Sequence, residues 1–157
     1  MPIIEIKTII KADIKTCFDL SRNIDFHQHS LEHSNEKAIA GKTSGLIELG
    51  ESVTWEATHF GVKQKLTSKI TAFERPYYFV DEMTSGAFKS FKHEHIFKYE
   101  EGKTLMVDKF QFESPFGIFG KLANILFLKR YMKNLLTTRN EYLKIKAEEI
   151  IPLEHRN

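Results

Sequence analysis

Phe91-Lys92-His93-Glu94-His95-Ile96-Phe97-Lys98-Tyr99-Glu100, then Glu101-Gly102, then Lys103-Thr104-Leu105-Met106-Val107-Asp108-Lys109-Phe110-Gln111-Phe112, is the stretch from which the architecture follows. Both arms alternate with the period of two that puts residues i and i+2 on one face of a strand. In the first arm Phe91, His93, His95, Phe97 and Tyr99 form one set, and Lys92, Glu94, Ile96 and Lys98 form the other. The first set is the more aromatic, so it is assigned to the interior. Glu101-Gly102 reads as a two-residue hairpin turn, which sets Glu100 against Lys103. Counting back sets Phe97 against Met106, His95 against Asp108 and His93 against Phe110. Directly opposed side chains have Cβ atoms about 4.5–5.5 Å apart. The spacing therefore predicts an imidazole–carboxylate contact, His95 with Asp108, flanked by His93 on an inner wall. A turn longer by one residue would break this opposition.

The same alternation runs upstream. Ile3 to Lys11 is a β-branched strand, and Ser52 to Phe60 carries Val53, Trp55, Ala57 and His59 on one face. Gly61 is a turn. Val62 to Phe73 continues with Val62, Leu66, Ser68 and Ile70 in phase, and Arg75-Pro76 breaks it. Tyr77 to Met83 is a further strand, with Phe79 and Asp81 on one face, and Lys37 to Gly41 is a short one. Asp13 caps a short helix over Ile14 to Arg22. Asp25 to Ser34 reads as a polar, irregular segment containing His27, His29 and His33. Downstream, Ser114-Pro115 opens a helix to about Glu148, with Leu122, Ile125, Leu128, Met132, Leu135 and Tyr142 as its apolar stripe.

Composition excludes several classes. The chain has 157 residues, which predicts one domain over 1–149 and a short tail over 150–157. Lys and Arg number 23 against 21 Asp and Glu, a net charge of +2, far from the basic excess of a phosphate-binding nucleic-acid partner. No uncharged run exceeds seven residues, so no helix spans a bilayer. A single Cys supplies no disulfide framework, and Cys17 is expected to be a buried, inert thiol. These features, with no secretory signal at the N-terminus, predict a cytoplasmic protein. The 13 Phe residues point to a large apolar interior or an apolar cavity.

Strand, helix, loop, about six hairpin-linked strands and one long helix suggest an α+β fold. A curved antiparallel sheet of six or seven strands would wrap around the C-terminal helix, leaving an apolar space between them. This layout resembles the START-like, helix-grip superfamily, which includes the birch-pollen allergen and the polyketide cyclase/dehydrase-like lipid-transport proteins. The run Asp81-Glu82-Met83, Gly86-Ala87-Phe88, Phe91-x-His93-x-His95-x-Phe97, Asp108 and Pro115-x-Gly117 resembles a bacterial subgroup of it. The superfamily resemblance implies a hydrophobic-ligand cavity under the C-terminal helix. It implies no single activity, because the fold hosts carriers, cyclases, allergens and chaperone regulators.

The leading expectation is therefore a binding module for a small hydrophobic molecule, a lipid, isoprenoid or polyketide-like compound. Trp55, Phe79, Phe91, Phe97, Met106, Phe110, Leu122 and Ile125 are expected to supply apolar wall. His93, His95 and Asp108 are expected to read the ligand's polar group, with Asp81 facing the cavity and His59 at its mouth. The alternative is an enzyme, a cyclase, dehydratase or hydrolase with His95 as base and Asp108 as its orienting partner. A third alternative is a purely structural His–Asp pair that orders the hairpin. His93, His95 and Asp108 also offer two imidazoles and a carboxylate, but no Cys or second acidic cluster accompanies them, so neither metal nor cofactor is expected. Phe116, Ile118, Phe119, Leu126 and Phe127, among Lys121, Lys129, Arg130, Lys133 and Arg139, leave open transient contact with anionic lipid. Helix burial accounts for the same apolar residues.

Overall fold

The structure, a computed structural model, describes residues 2–114 and 121–150. Seven strands, β1 (Ile3–Ile10), β2 (Lys37–Gly41), β3 (Ser52–His59), β4 (Val62–Glu74), β5 (Tyr78–Ser85), β6 (Ser90–Glu100) and β7 (Lys103–Glu113), form one antiparallel sheet. Their order across the sheet is β1-β7-β6-β5-β4-β3-β2. Every neighbour from β2 to β7 is thus reached by a short local connection. Only β1, which crosses over to pair with β7, requires long-range closure.

The central hairpin has the expected register. Glu100 pairs with Lys103, Phe97 with Met106, His95 with Asp108 and His93 with Phe110. Its turn works because Glu101 and Gly102 both take positive φ, 51° and 78°, the handedness that matches strand twist in a two-residue hairpin. The register of β4 against β5 shifts at Thr67/Ser68 and again at Ile70/Ala72. Such shifts bend a strand and sharpen its twist, which curls the sheet toward its concave side.

Two short helices, α1 (Ile14–Ser21) and α2 (Ile24–Ser30), and a 3₁₀ turn (Glu32–Ser34) connect β1 to β2. Asp13 caps α1, its carboxylate accepting from the Thr16 amide at 3.1 Å. The segment expected to be irregular instead holds α2. Asn23 supplies its cap, accepting from the Phe26 amide at 3.0 Å, and Ile24 and Leu31 anchor the segment in the core. The polar residues between them, His27 and His29 included, conceal that anchoring from a periodicity reading. The long helix α3 (Lys121–Glu149) packs against β1, α1 and α2. Of the helix start expected at Ser114-Pro115, Pro115 and the residues up to 120 lie outside the described residues.

The interior divides in two. Around Phe18 of α1, the rings of Phe73, Phe79 and Phe97 meet it edge-on at 5.3–5.4 Å. Such pairs add about 0.5–1.5 kcal/mol each beyond area burial. A second cluster joins Ile4, Phe91, Phe110, Phe112 and Leu136. The expected stripe of α3 needs correction. Its buried line passes through Leu136, Arg139, Asn140, Leu143 and Ala147, whereas Tyr142 is exposed. Arg139 and Asn140 are polar, so they hide this face from a hydrophobic count. What draws them inward is a buried acid.

Candidate functional site

A cavity of about 730 Å³ lies between the concave face of the sheet and α3. Trp55 and Ala57 of β3, Leu66 and Ile70 of β4, Phe79 and Asp81 of β5, Phe91, His93 and His95 of β6, and Phe110 of β7 line it from the sheet. Leu128, Tyr131, Met132, Leu135, Leu136 and Arg139 line it from α3, and Ile24, His27 and Leu31 from the α2 region. Phe97 and Met106 sit behind this wall in the Phe18 cluster, not on it. Ile125 is half-buried and does not line the cavity, and the side chain of Leu122 lies outside the described residues.

Behind that lining sits a polar centre. Asp108 is fully buried and bonded on both oxygens. Oδ1 accepts from His93 Nε2 at 2.8 Å and from Arg139 Nη1 at 3.5 Å, and Oδ2 accepts from Asn140 Nδ2 at 2.7 Å. Arg139 also donates to the Ser21 carbonyl at 3.0 Å, tying α3 to α1. His95, stacked on Phe79 with ring centroids 4.0 Å apart, shares its Nε2 with Asp81 Oδ2 at 2.9 Å. Its Nδ1 lies 3.2 Å from Asp108 Oδ1 but out of line for a hydrogen bond. The predicted pair is thus in contact, yet the hydrogen bonds run differently: His93 takes Asp108, and His95 takes Asp81. The reason is lateral. Asp81 pairs with His93 on one side of β6, and Asp108 pairs with His95 on the other, so two carboxylates flank two rings whose centroids lie 3.8 Å apart, tilted by 31°.

Electrostatics follow from these partners. Burial alone would raise the Asp108 carboxyl, but the His93 bond and the His95 ring 3.2 Å away hold it well below the usual carboxylate range. Burial also opposes charge on Asp81, and the His95 bond with the neighbouring cations outweighs it in the same direction. The two imidazoles split. Burial and then the charge of His95 push His93 down, so it loses its proton before a free imidazole would. Burial opposes the charge on His95 too, but Asp108 and Asp81 together raise it. The arrangement can therefore hold one proton on His95 between two carboxylates while neutral His93 still donates its N–H to Asp108.

A second polar group stands at the rim. His59 Nδ1 and the Tyr131 hydroxyl share a hydrogen bond across the gap between β3 and α3. Burial lowers the proton affinity of His59. Beside it the β3–β4 turn puts Phe60 in the left-handed region at φ 54°, a strain of order 1 kcal/mol or more. There Phe60 meets Tyr131 at 4.6 Å and Phe127 at 5.2 Å, with Phe60 and Phe127 largely exposed. His27, expected in a solvated loop, instead lines the cavity from α2, bonded to Glu36 at 2.7 Å and packed on Trp55 at 4.4 Å. His29 and His33 are exposed as expected. Cys17 is buried, its thiol pushed up to about 11 chiefly by burial.

Sequence reasoning misses Arg139, Asn140 and Tyr131. It counts Arg139 among the basic surface charges of the helix, but this residue is 3% exposed and faces Asp108. The available signal is a pair of polar residues interrupting the apolar spacing between Leu136 and Leu143. Among the described residues, one ligand atom from each of Asp81, His93 and His95 lies within 4.8 Å of the other two, so these three could hold a metal ion.

No protein-family model and no curated protein sequence matches the chain. Solved structures do. A Thermus thermophilus protein superposes with a TM-score of 0.71 at 18% identity, over 93% of this chain and 99% of its own. A Chromobacterium violaceum protein gives 0.72 at 8% identity, over 93% and 96%. The major latex-like protein 151 of Panax ginseng gives 0.64 at 13% identity, over 93% and 97%. At these identities the likeness speaks for the architecture. Seven antiparallel strands closed by a long C-terminal helix, shared with these proteins along nearly their whole length, give this chain the helix-grip fold.

Proposed function

We propose that the chain binds a small hydrophobic molecule, of lipid, isoprenoid or polyketide type, in the cavity beneath α3. The observation that carries this reading is the cavity itself. At about 730 Å³, with an aromatic and aliphatic wall and one compact polar centre, it has the size and lining of a small-molecule site. Asp81, His93 and His95 line it directly and would meet the ligand's polar group, and Asp108 acts through them. Trp55, Phe79, Phe91 and Phe110 supply apolar wall, and His59 with Tyr131 guards the rim. Exposed Leu126 and Phe127 beside Lys129 and Arg130 support transient contact with an anionic lipid surface during loading.

The test is native mass spectrometry of protein purified from its own host. It should show a co-purified apolar mass that is released on unfolding. Trp55 is the only Trp of the chain and lines the cavity, so added ligand should also change its fluorescence. Protein with no bound mass and an unresponsive Trp55 across a panel of fatty acids, isoprenoids and aromatic polyketides would reject the reading. His95 on the cavity wall between two carboxylates, which raise its proton affinity, also favours a second reading, acid–base chemistry in a cyclisation or dehydration. Equal turnover by the parent and by His95→Ala would remove it.

A further inference from the structure

We propose that Asp81, His93 and His95 form a binding site for a divalent d-block cation, with Asp108 orienting both imidazoles. Convergence is the first observation: a ligand atom from each of the three lies within 4.8 Å of the others, and all three line the cavity. Two imidazoles and one carboxylate suit cations such as Zn(II), Fe(II) or Co(II) better than Ca(II) or Mg(II).

The second observation lies behind the rings. A metal-bound imidazole nearly always gives its other N–H to a carboxylate or carbonyl, which fixes its tautomer and direction. Here one oxygen, Asp108 Oδ1, serves both rings, at 2.8 Å from His93 Nε2 and 3.2 Å from His95 Nδ1. His95 Nδ1 is buried and lacks a properly aligned hydrogen bond. Asp108 thereby binds His93 Nε2 and stands against His95 Nδ1, which leaves His93 Nδ1 and His95 Nε2 for a third party. His95 Nε2 now shares a proton with Asp81 Oδ2 at 2.9 Å, and a cation would take that proton's place.

Two further points fit. Asp108 is not a ligand, because its oxygens are committed to His93 and Asn140, whereas Asp81 keeps 20% of its side-chain surface open. With both imidazoles neutral, Asp81 and Asp108 bring two negative charges against the one positive charge of Arg139. The remaining charge suits a divalent cation that also takes an anionic oxygen, an enolate or carboxylate, from a cavity ligand. Three protein ligands leave coordination positions facing the cavity for that oxygen.

The experiment titrates the chelator-stripped full chain with Co(II), followed by its visible d–d absorption, with Zn(II) as competitor. One Co(II) per folded chain, displaced by Zn(II), is expected. Asp81→Asn and His95→Gln, each verified as folded by far-UV circular dichroism, should weaken Co(II) binding at least ~100-fold. Asp108→Asn should weaken it about 10–100-fold and shift the d–d bands, which a purely structural role would not do. His29→Ala should change nothing. Parent protein that takes up no Co(II), or Co(II) binding that survives Asp81→Asn and His95→Gln unchanged, overturns the proposal. No organic ligand enters the titration, so its outcome is independent of the hydrophobic-ligand reading.

Discussion

At the floor of the cavity Asp108 is fully buried, bonded on both oxygens and faced by Arg139, His93, His95 and Asn140, whereas at the rim His59 and Tyr131 share one hydrogen bond between half-exposed side chains. Both are polar groups in a largely aromatic surround, yet they carry different loads. A charge out of reach of water must have all its partners, since the surrounding medium compensates nothing. A polar pair beside solvent can exchange its partner for water at little cost. The floor therefore serves the fold, and in the proposed function recognition as well, whereas the rim can move without threatening the fold.

The sharpest way to break this contrast is Asp108→Ala. It strands Arg139 and removes the acceptor of His93, so stability should fall by about 3–5 kcal/mol in urea denaturation. A loss under about 1 kcal/mol would mean that the floor is not the structural keystone its geometry implies. Tyr131→Phe removes only the rim bond. Stability should change by less than about 1 kcal/mol, while release of a bound fluorescent fatty acid, followed by stopped flow, should accelerate. Unchanged release would leave the rim without a gating role.

Asp19 supplies the intermediate case and the smallest expected effect. Its carboxylate accepts from Arg75 at 2.6 Å and from Arg22 at 2.9 Å, and Glu48 stands 3.9 Å from Arg22. The Arg75 bond, opposed by partial burial and aided by Arg22, holds Asp19 below its ordinary value. A depressed carboxyl contributes stability that is present above its unfolded value and lost as pH falls through the folded one. Asp19→Asn should therefore lower the neutral plateau slightly and flatten the acid side of the stability–pH curve by the same small amount, small because the pair is partly solvated. A large drop at neutral pH would show that partial exposure protects less than this comparison assumes.

The extent to which the sequence can be read follows from the same distinction. Strict period-two alternation and a Glu-Gly turn make the β6–β7 register legible to the residue, and with it the meeting of His95 and Asp108. Local rules suffice there, because a hairpin needs no information from elsewhere in the chain. Alternation puts Asp81 on the right face, but its bond to His95 is not legible, since it depends on a register across β5 and β6 that Gly86 obscures. Arg139 and Asn140 are illegible for a stronger reason. A hydrophobicity count places polar residues outside, and only the buried carboxylate of a distant upstream strand brings them in. Likewise α2 escapes a periodicity reading because a cap and two anchors, not a repeating stripe, define it.

The bond between Asp108 and Asn140 has a temporal side. The chain is made from its N-terminus, so every strand of the wall leaves the ribosome before the residues that neutralise its acid. Until synthesis has passed position 140, Asp108 lacks both Arg139 and Asn140. The half-made sheet must then leave that acid hydrated or protonated. Docking of the last helix is thus the event that gives the acid its Arg139 and Asn140 partners.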